Sequence, residues 1–510
     1  MTPRTFFAIL CVLFIFTNVV PPKAAHAQFR LFGDDDDDDD RDSRKKKLNP
    51  KLEDAKRSAE QAYKQGDFDK AIQITDGVLQ EAREDDVAYY LRGSARVEKG
   101  LRNGDKKLIR AGIADAREAI RFAPEKSALY HLPYLYGLKS LAVLENRREH
   151  ADLAVQAANL ALQIRNLKSE EKAHLLYQRA TANVWLRKLD AAIEDCRQAV
   201  TLLPSHLGAH VVLAEAYAAS GKRDEALASY GKAIELFPDN PLVYNNRGMF
   251  QQQQGRNSEA VADFTRAIEL NPDYYYSYIN RGFALLQSDD PKSAEADFSA
   301  ALRVNSNQAQ VYNLRAQARL AQGNTAGAVA DSTHVTQLMA NDPVAHGDLG
   351  FTLFFTKDYA RALASFDQAV KLSPNMRYLD PWRYWCLVAQ NRETDANSRF
   401  ADTLGKDPAM RDWADRLLAY VAGTLSEADL RASLDPKDEA MKRAQTCEAE
   451  FFSALKKARE GNAEEAMAHY QKALDTGAKH LSAYRGAKVA AGKSGGTTPA
   501  AASTIPARSN

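Results

Sequence analysis

Few groups in this chain have the type and spacing for chemistry, and each candidate lacks a partner or a setting. Gly486 to Ser494 spells GAKVAAGKS. A phosphate-cradling loop needs glycines at fixed offsets and a strand feeding the turn. Here the spacing is one residue too long, Ala487 stands at the first glycine's place, and no strand pattern precedes it. The overlapping Gly492-Lys493-Ser494-Gly495-Gly496 has the spelling of a nucleophile elbow. That motif needs a strand-to-helix turn, whereas this stretch opens a tail rich in Gly, Ser, Thr, Pro and Ala. Ser169-Glu170-Glu171-Lys172 matches S-x-x-K without a companion motif, and Ser169 reads better as a helix N-cap. His206 and His210 are four apart, as two ligands on one helix face would be, yet the glutamate of a zinc protease is missing between them. No nucleophile, base and orienting acid come together. The expectation is no enzyme, no metal site and no cofactor.

The chain that would have to position such groups has 510 residues, is 45% hydrophobic and 26% charged, and carries 68 Lys plus Arg against 67 Asp plus Glu. That composition excludes wholesale disorder, a collagen-like chain and a polytopic membrane protein. A net charge of +1 gives no support to a nucleic-acid partner held by its phosphates. Arg4, the apolar run Thr5 to Val20, Pro21-Pro22 and the Ala25-His26-Ala27 end read as a secretory signal over 1–27, cut after Ala27, with a bacterial periplasm as destination. The run is short of the roughly 20 residues a membrane span needs, so no stable span is expected after cleavage. Cys11 follows Leu10, where a lipid-attachment motif wants a small residue.

Cys196, Cys386 and Cys447 show no CxxC spacing; Cys386 with Cys447 is the more plausible bridge by position, and buried free thiols are the ordinary alternative. Asp34 to Asp40, seven aspartates followed by Arg41 and Lys45-Lys46-Lys47, can neither bury nor pair among themselves, so 28–51 reads as a solvated linker.

A fixed period organises the rest. Alanine recurs every 34 residues at Ala192, Ala226, Ala260, Ala294, Ala328, Ala362 and Ala396. Twelve residues earlier stand the small residues Ala180, Ala214, Gly248, Gly282, Ala316 and Gly350, until Tyr384 breaks the series. Twelve residues later comes proline at 204, 238, 272, 374 and 408. Tyr230, Phe264, Phe298, Phe366 and Phe400 follow the alanine by four, and Ala199, Ala233, Ala267, Ala301 and Ala369 follow it by seven. This is the stripe of a buried helix face, closed by a residue that cannot continue a helix. Two antiparallel helices per period, A and B, crossing at the small residues, satisfy the whole pattern.

These residues resemble the tetratricopeptide repeat, whose pattern has Gly/Ala, Ala, Phe/Tyr, Ala and Pro at the same offsets. The resemblance implies an all-α superhelical solenoid of antiparallel helix pairs. Seven contiguous repeats are expected over 173–410, degenerate ones over 52–126, an irregular helical pair over 127–172 and an irregular helical segment over 411–446. A last repeat with a capping helix follows over 447–490, then a disordered tail over 491–510.

Within the repeats, the seventh place is arginine at Arg92, Arg179, Arg247, Arg281 and Arg315, and the same repeats carry Asp115, Asp195, Asp263, Asp297 and Asp331 on helix B. Where the seventh place is Leu213 or Leu349, the partner place is Ser229 or Ser365. The two places change together, which predicts an Arg–Asp ion pair between helices A and B of each such repeat.

In the resembled family the groove is lined from the second, fifth, ninth, twelfth and thirteenth places of helix A. Carried over, these are Tyr177, Trp185, Asn245, Met249, Gln252, Tyr276, Phe283, Asn313, Gln317, Phe351, Phe354 and Phe355. Such a surface suits a peptide held by apolar anchors and amide hydrogen bonds. Phe351, Phe354 and Phe355 fall within little more than one turn and cannot all enter a single core stripe, so a groove cluster is expected there. The end of the chain, with Trp413, Ala419-Tyr420 and Cys447 to Phe452, also resembles bacterial periplasmic adaptors of the NlpI lipoprotein type. The resulting expectation is a non-catalytic periplasmic scaffold for cell-envelope proteins or peptides. The alternatives are a regulatory subunit of an envelope polysaccharide or cell-wall enzyme, and a self-assembling structural protein.

Overall fold

A computed structural model describes residues 49–123 and 127–492. The expected signal, nearly all of the linker, Pro124 and the tail beyond Gly492 lie outside the described residues. Every regular element within them is helical, and no helix is long and apolar enough to cross a membrane.

The chain divides into two compact units, the first reaching Phe250 and the second starting at Gln251. The first holds α1 (Pro50–Gln65), α2 (Phe68–Glu81), α3 (Asp86–Asn103), α4 (Lys106–Phe122), α5 (Ser127–Glu145), α6 (Arg148–Ala161), α7 (Ser169–Trp185), α8 (Leu189–Leu202), α9 (Leu207–Ala219) and α10 (Arg223–Leu236). Consecutive helices pack as pairs, and the 127–172 segment is such a pair, α5 against α6. The unit boundary falls inside α11 (Pro241–Gln253).

In the second unit α12 (Asn257–Leu270) is followed by the pairs α13 (Tyr275–Gln287) with α14 (Pro291–Val304), α15 (Ala309–Ala321) with α16 (Thr325–Leu338), and α17 (Pro343–Phe355) with α18 (Tyr359–Leu372). Then come α19 (Asp380–Val388), α20 (Glu393–Arg399), α21 (Ala401–Leu404), α22 (Trp413–Val421), α23 (Glu427–Ala432), α24 (Glu439–Arg459), α25 (Ala463–Asp475) and α26 (Ser482–Ala490).

The small residues act at the crossings. A Cβ on Gly350 would stand 2.5 Å from the ring of Phe366, and one on Gly282 would stand 2.8 Å from that of Phe298. The seven period alanines are fully buried. Helix B ends two residues before each of Pro204, Pro238, Pro272 and Pro374, and at the same place where Ser306 and Ala340 stand instead. Proline therefore reinforces the stop without being needed for it. The fifteenth residue of each repeat turns the chain with positive φ: Gly221, Gly255 and Gly323, but also Arg187, Asp289, Lys357 and Asn391.

The 377–410 window departs from the regular pair. Its first helix is short and carries Pro381 near its start, and its second breaks at Phe400 into α20 and α21. Tyr384 occupies the crossing place that is small elsewhere. Its ring lies 5.9 Å from Phe400, and its hydroxyl donates to Asn397 at 2.7 Å, so the two helices cannot close as their neighbours do.

Candidate functional site

The arginine and aspartate of one repeat meet as a two-pronged pair. Arg281 donates from Nε and Nη2 to Asp297 at 2.8 and 2.7 Å, and Arg315 to Asp331 at 2.9 and 2.7 Å. Arg92 and Arg179 grip Asp115 and Asp195 in the same way. Asp263 is buried at the corresponding place in the repeat of Arg247. The hydrogen bonds to Asp297 and Asp331 raise Arg281 and Arg315 above the ordinary guanidinium range.

The remaining nitrogen of each arginine does something the pairing pattern did not reveal. It reaches back to helix B of the preceding pair: Arg92 to Asp76, Arg179 to Asn159, Arg281 to Thr265 and Arg315 to Ser299. Arg383, whose repeat carries Arg399 at the place of the paired aspartate, takes Asp380 of its own helix at 2.6 Å and Asp367 of the preceding repeat at 2.8 Å, and Arg399 joins it on Asp367. Where such an arginine stands, it thus clips its helix pair to the one before, and its role is architectural.

Unit 1 buries a second charged group. Lys139 of α5 is 4% exposed, stacks over the rings of Tyr136 and Tyr177, and lies 3.5 Å from Oε1 of Gln178. Glu98 of α3 and Glu215 of α9 are its electrostatic partners, and each keeps one carboxylate oxygen without a hydrogen bond among the described residues. Burial pushes both carboxyls up to about 8 and Lys139 down to about 8.

The two candidate histidines act separately. His206 Nδ1 accepts from the Ala209 amide as a helix cap, and His210 Nε2 donates to the Pro204 carbonyl. No group of metal-binding side chains occurs among the described residues. Ser169 is the first residue of α7 and not its cap; Glu171 instead accepts from the Lys168 amide. Gly486 to Ala490 lie within α26, a helix rather than a phosphate loop. The three cysteines are buried free thiols.

The expected groove residues separate. Tyr177, Asn245, Met249, Phe351 and Phe354 are buried, whereas Trp185, Gln252, Tyr276, Phe283, Asn313, Gln317 and Phe355 are half-buried. The groove reading of Phe351 and Phe354 is corrected. Phe351 packs edge-on against Phe366 and Trp382, with ring centroids 5.1 and 4.9 Å away, and Phe354 meets Trp382 and Phe451. α17 is covered on more than one side, so rings that cannot share one stripe are still packed against neighbours. Tyr177 is likewise core, its ring 4.7 Å from His206 and tight against Gly208.

Phe355 faces α26. A Cβ on Gly486 would stand 2.6 Å from both the Phe355 and Phe451 rings. Val489 packs with Phe355 against Ala316 and Leu320 of α15. Lys479 donates to the carbonyl of Gln287 at 3.2 Å, and Lys488 pairs with Asp289. Asn313 donates to Asp348 at 3.2 Å, and Arg485 acts electrostatically on the same carboxylate, which burial pushes up. Gln287, Leu320 and Phe355 stand at the twelfth or thirteenth place of three consecutive A helices, so α26 lies across their ends.

Models of the tetratricopeptide repeat match residues 214–255, 241–274, 279–332 and 344–376. The chain carries tetratricopeptide repeats over these stretches. Human DnaJ homolog subfamily C member 7 is 25% identical over 181 residues, which are 33% of this chain and 34% of that protein. The chain thus spans about a third of that relative's length. Among solved structures, pilF of Pseudomonas aeruginosa is 24% identical with a TM-score of 0.36, covering 40% of this chain and 94% of that one. YrrB, described as a TPR protein with an unusual peptide-binding site, is 20% identical with a TM-score of 0.32, covering 36% and 94%. Yeast Tom70 is 16% identical with a TM-score of 0.36, covering 75% and 97%.

Proposed function

We propose that this chain is an exported, non-catalytic scaffold that holds helical or extended segments of cell-envelope proteins on the A helices of unit 2. Its repeats are those of a protein–protein interaction scaffold. The observation that carries the finer reading is that the ends of α13, α15 and α17 already seat a helix, through a backbone carbonyl, an apolar pocket at Leu320 and Phe355, and the acids Asp289 and Asp348. Repeat proteins bind partners on such faces, where stacked helices present contiguous side chains. The apolar run and Ala25-His26-Ala27 support export to a periplasm.

A photo-crosslinking amino acid at Gln317, beside this seat, is expected to label a discrete protein in intact cells. The same group at Lys371, exposed on α18, is expected to label none. Equal labelling from both positions, or turnover of a substrate by the purified chain alone, would overturn the reading. For location, the protein is expected in the periplasmic fraction with Gln28 as its first residue; a cytoplasmic protein retaining residues 1–27 contradicts export.

A further inference from the structure

α26 does more than cap the last helix pair. A cap needs to cover only α24 and α25, which α26 does, burying Ala483, Gly486 and Ala487. Yet Val489 reaches Ala316 and Leu320, Lys488 reaches Asp289, and Lys479 reaches Gln287. From Lys479 to Gly492 there are three lysine or arginine residues besides Lys493 beyond it, and no acid, while the surface it crosses presents Asp289 and Asp348. At 9 residues, α26 is far below the roughly 12–15 that an isolated helix needs to persist in water. It is helical because it is seated, and off its seat it becomes a loose strand of chain tethered at Gly477, whose φ is 64°.

We propose that α26 is an internal occupant of the partner's seat. A partner's short basic helix, with a small residue at its centre, binds unit 2 by displacing α26. The inference rests on the groove reading above and adds its regulation and the chemistry of its ligand. Gly486 defines the central small residue, because the gap between the Phe355 and Phe451 rings admits no side chain there. Lys488 and Arg485 define the charge, opposite Asp289 and Asp348. Competition follows from the shared seat, since a ligand with differential affinity for the open form shifts the population toward it.

The test uses the full chain and a fluorescent peptide spanning residues 479–492. The variant Lys488→Glu/Val489→Asp, whose own α26 is repelled, is expected to bind the peptide at least tenfold more tightly than the wild type. In a second variant, Asp289→Cys/Lys488→Cys, oxidation is expected to abolish peptide binding and reduction to restore it in the same folded molecules. Equal binding by wild type and the first variant, with binding indifferent to oxidation in the second, leaves the groove standing and overturns self-occupancy. No binding to the first variant, although hydrogen exchange shows its α26 released, overturns the groove reading itself.

Discussion

Gly486 meets the ring of Phe355 so closely that a methyl group on its Cα would sit 2.6 Å from the ring carbon Cε1. The contact joins the last helix to the side of α17 that half-buried Phe355 presents, and it carries no polar bond, so shape alone sets it. Gly486→Ala is expected to lift α26 without disturbing the repeats. Amides of residues 482–490 should lose protection against hydrogen exchange while the main melting transition moves little. Unchanged protection would show that the seat tolerates bulk.

Phe351 sits four residues from Phe355 and answers differently. It is 6% exposed and wedged between Phe366 and Trp382. Phe351→Ala is expected to destabilise unit 2 by about 3–5 kcal/mol, the usual penalty for emptying an aromatic core site. Phe355→Ala should cost less and act mainly on α26. Denaturant unfolding of both variants checks the ranking.

The arginine clips predict an asymmetry. Asp297 is 5% exposed, so Arg281→Ala strands a buried carboxylate and is expected to cost roughly 1–3 kcal/mol. Replacing both partners with apolar residues, Arg281→Met/Asp297→Leu, should cost less than Arg281→Ala. A double-mutant cycle by chemical unfolding measures the difference.

In unit 1, Glu98 and Glu215 are raised by burial from 4.5 to about 8, and Lys139 is lowered from 10.5 to about 8. The folded carboxyls hold protons that the unfolded chain releases, so their contribution is complete below pH 4.5 and fades as pH rises through about 8. Lys139 works in reverse: its contribution is complete above 10.5 and is lost as pH falls through about 8. Stability of unit 1 is expected to fall from pH 5 to pH 8. Glu98→Gln/Glu215→Gln should flatten that slope, and an unchanged slope in melting scans would contradict it.

The period made the helix pairs legible because each place meets a single packing demand, with Ala294 at the crossing, Phe298 under it and Arg281 opposite Asp297. Reading each repeat alone hid what runs between repeats. The acceptors Asp76, Thr265, Ser299 and Asp367 all stand 16 residues before an arginine, a regularity available in the sequence once the third nitrogen is counted. The positive-φ place was also visible at Gly221, Gly255 and Gly323, though masked by Arg187 and Lys357. What the repeat pattern could not show is contact over long separations. Trp382 and Phe451 turn Phe351 and Phe354 into core, and α26 arrives from about 130 residues away in sequence to cover Phe355.

Hydrogen exchange of residues 482–490 in the wild-type chain, with an excess of isotope-labelled peptide 479–492, distinguishes displacement of α26 from binding elsewhere. Displacement predicts that the chain's own α26 loses protection as the peptide gains it, while α13, α15 and α17 stay protected. If the peptide gains protection and α26 keeps its own, the two occupy different places and α26 is a permanent part of the fold.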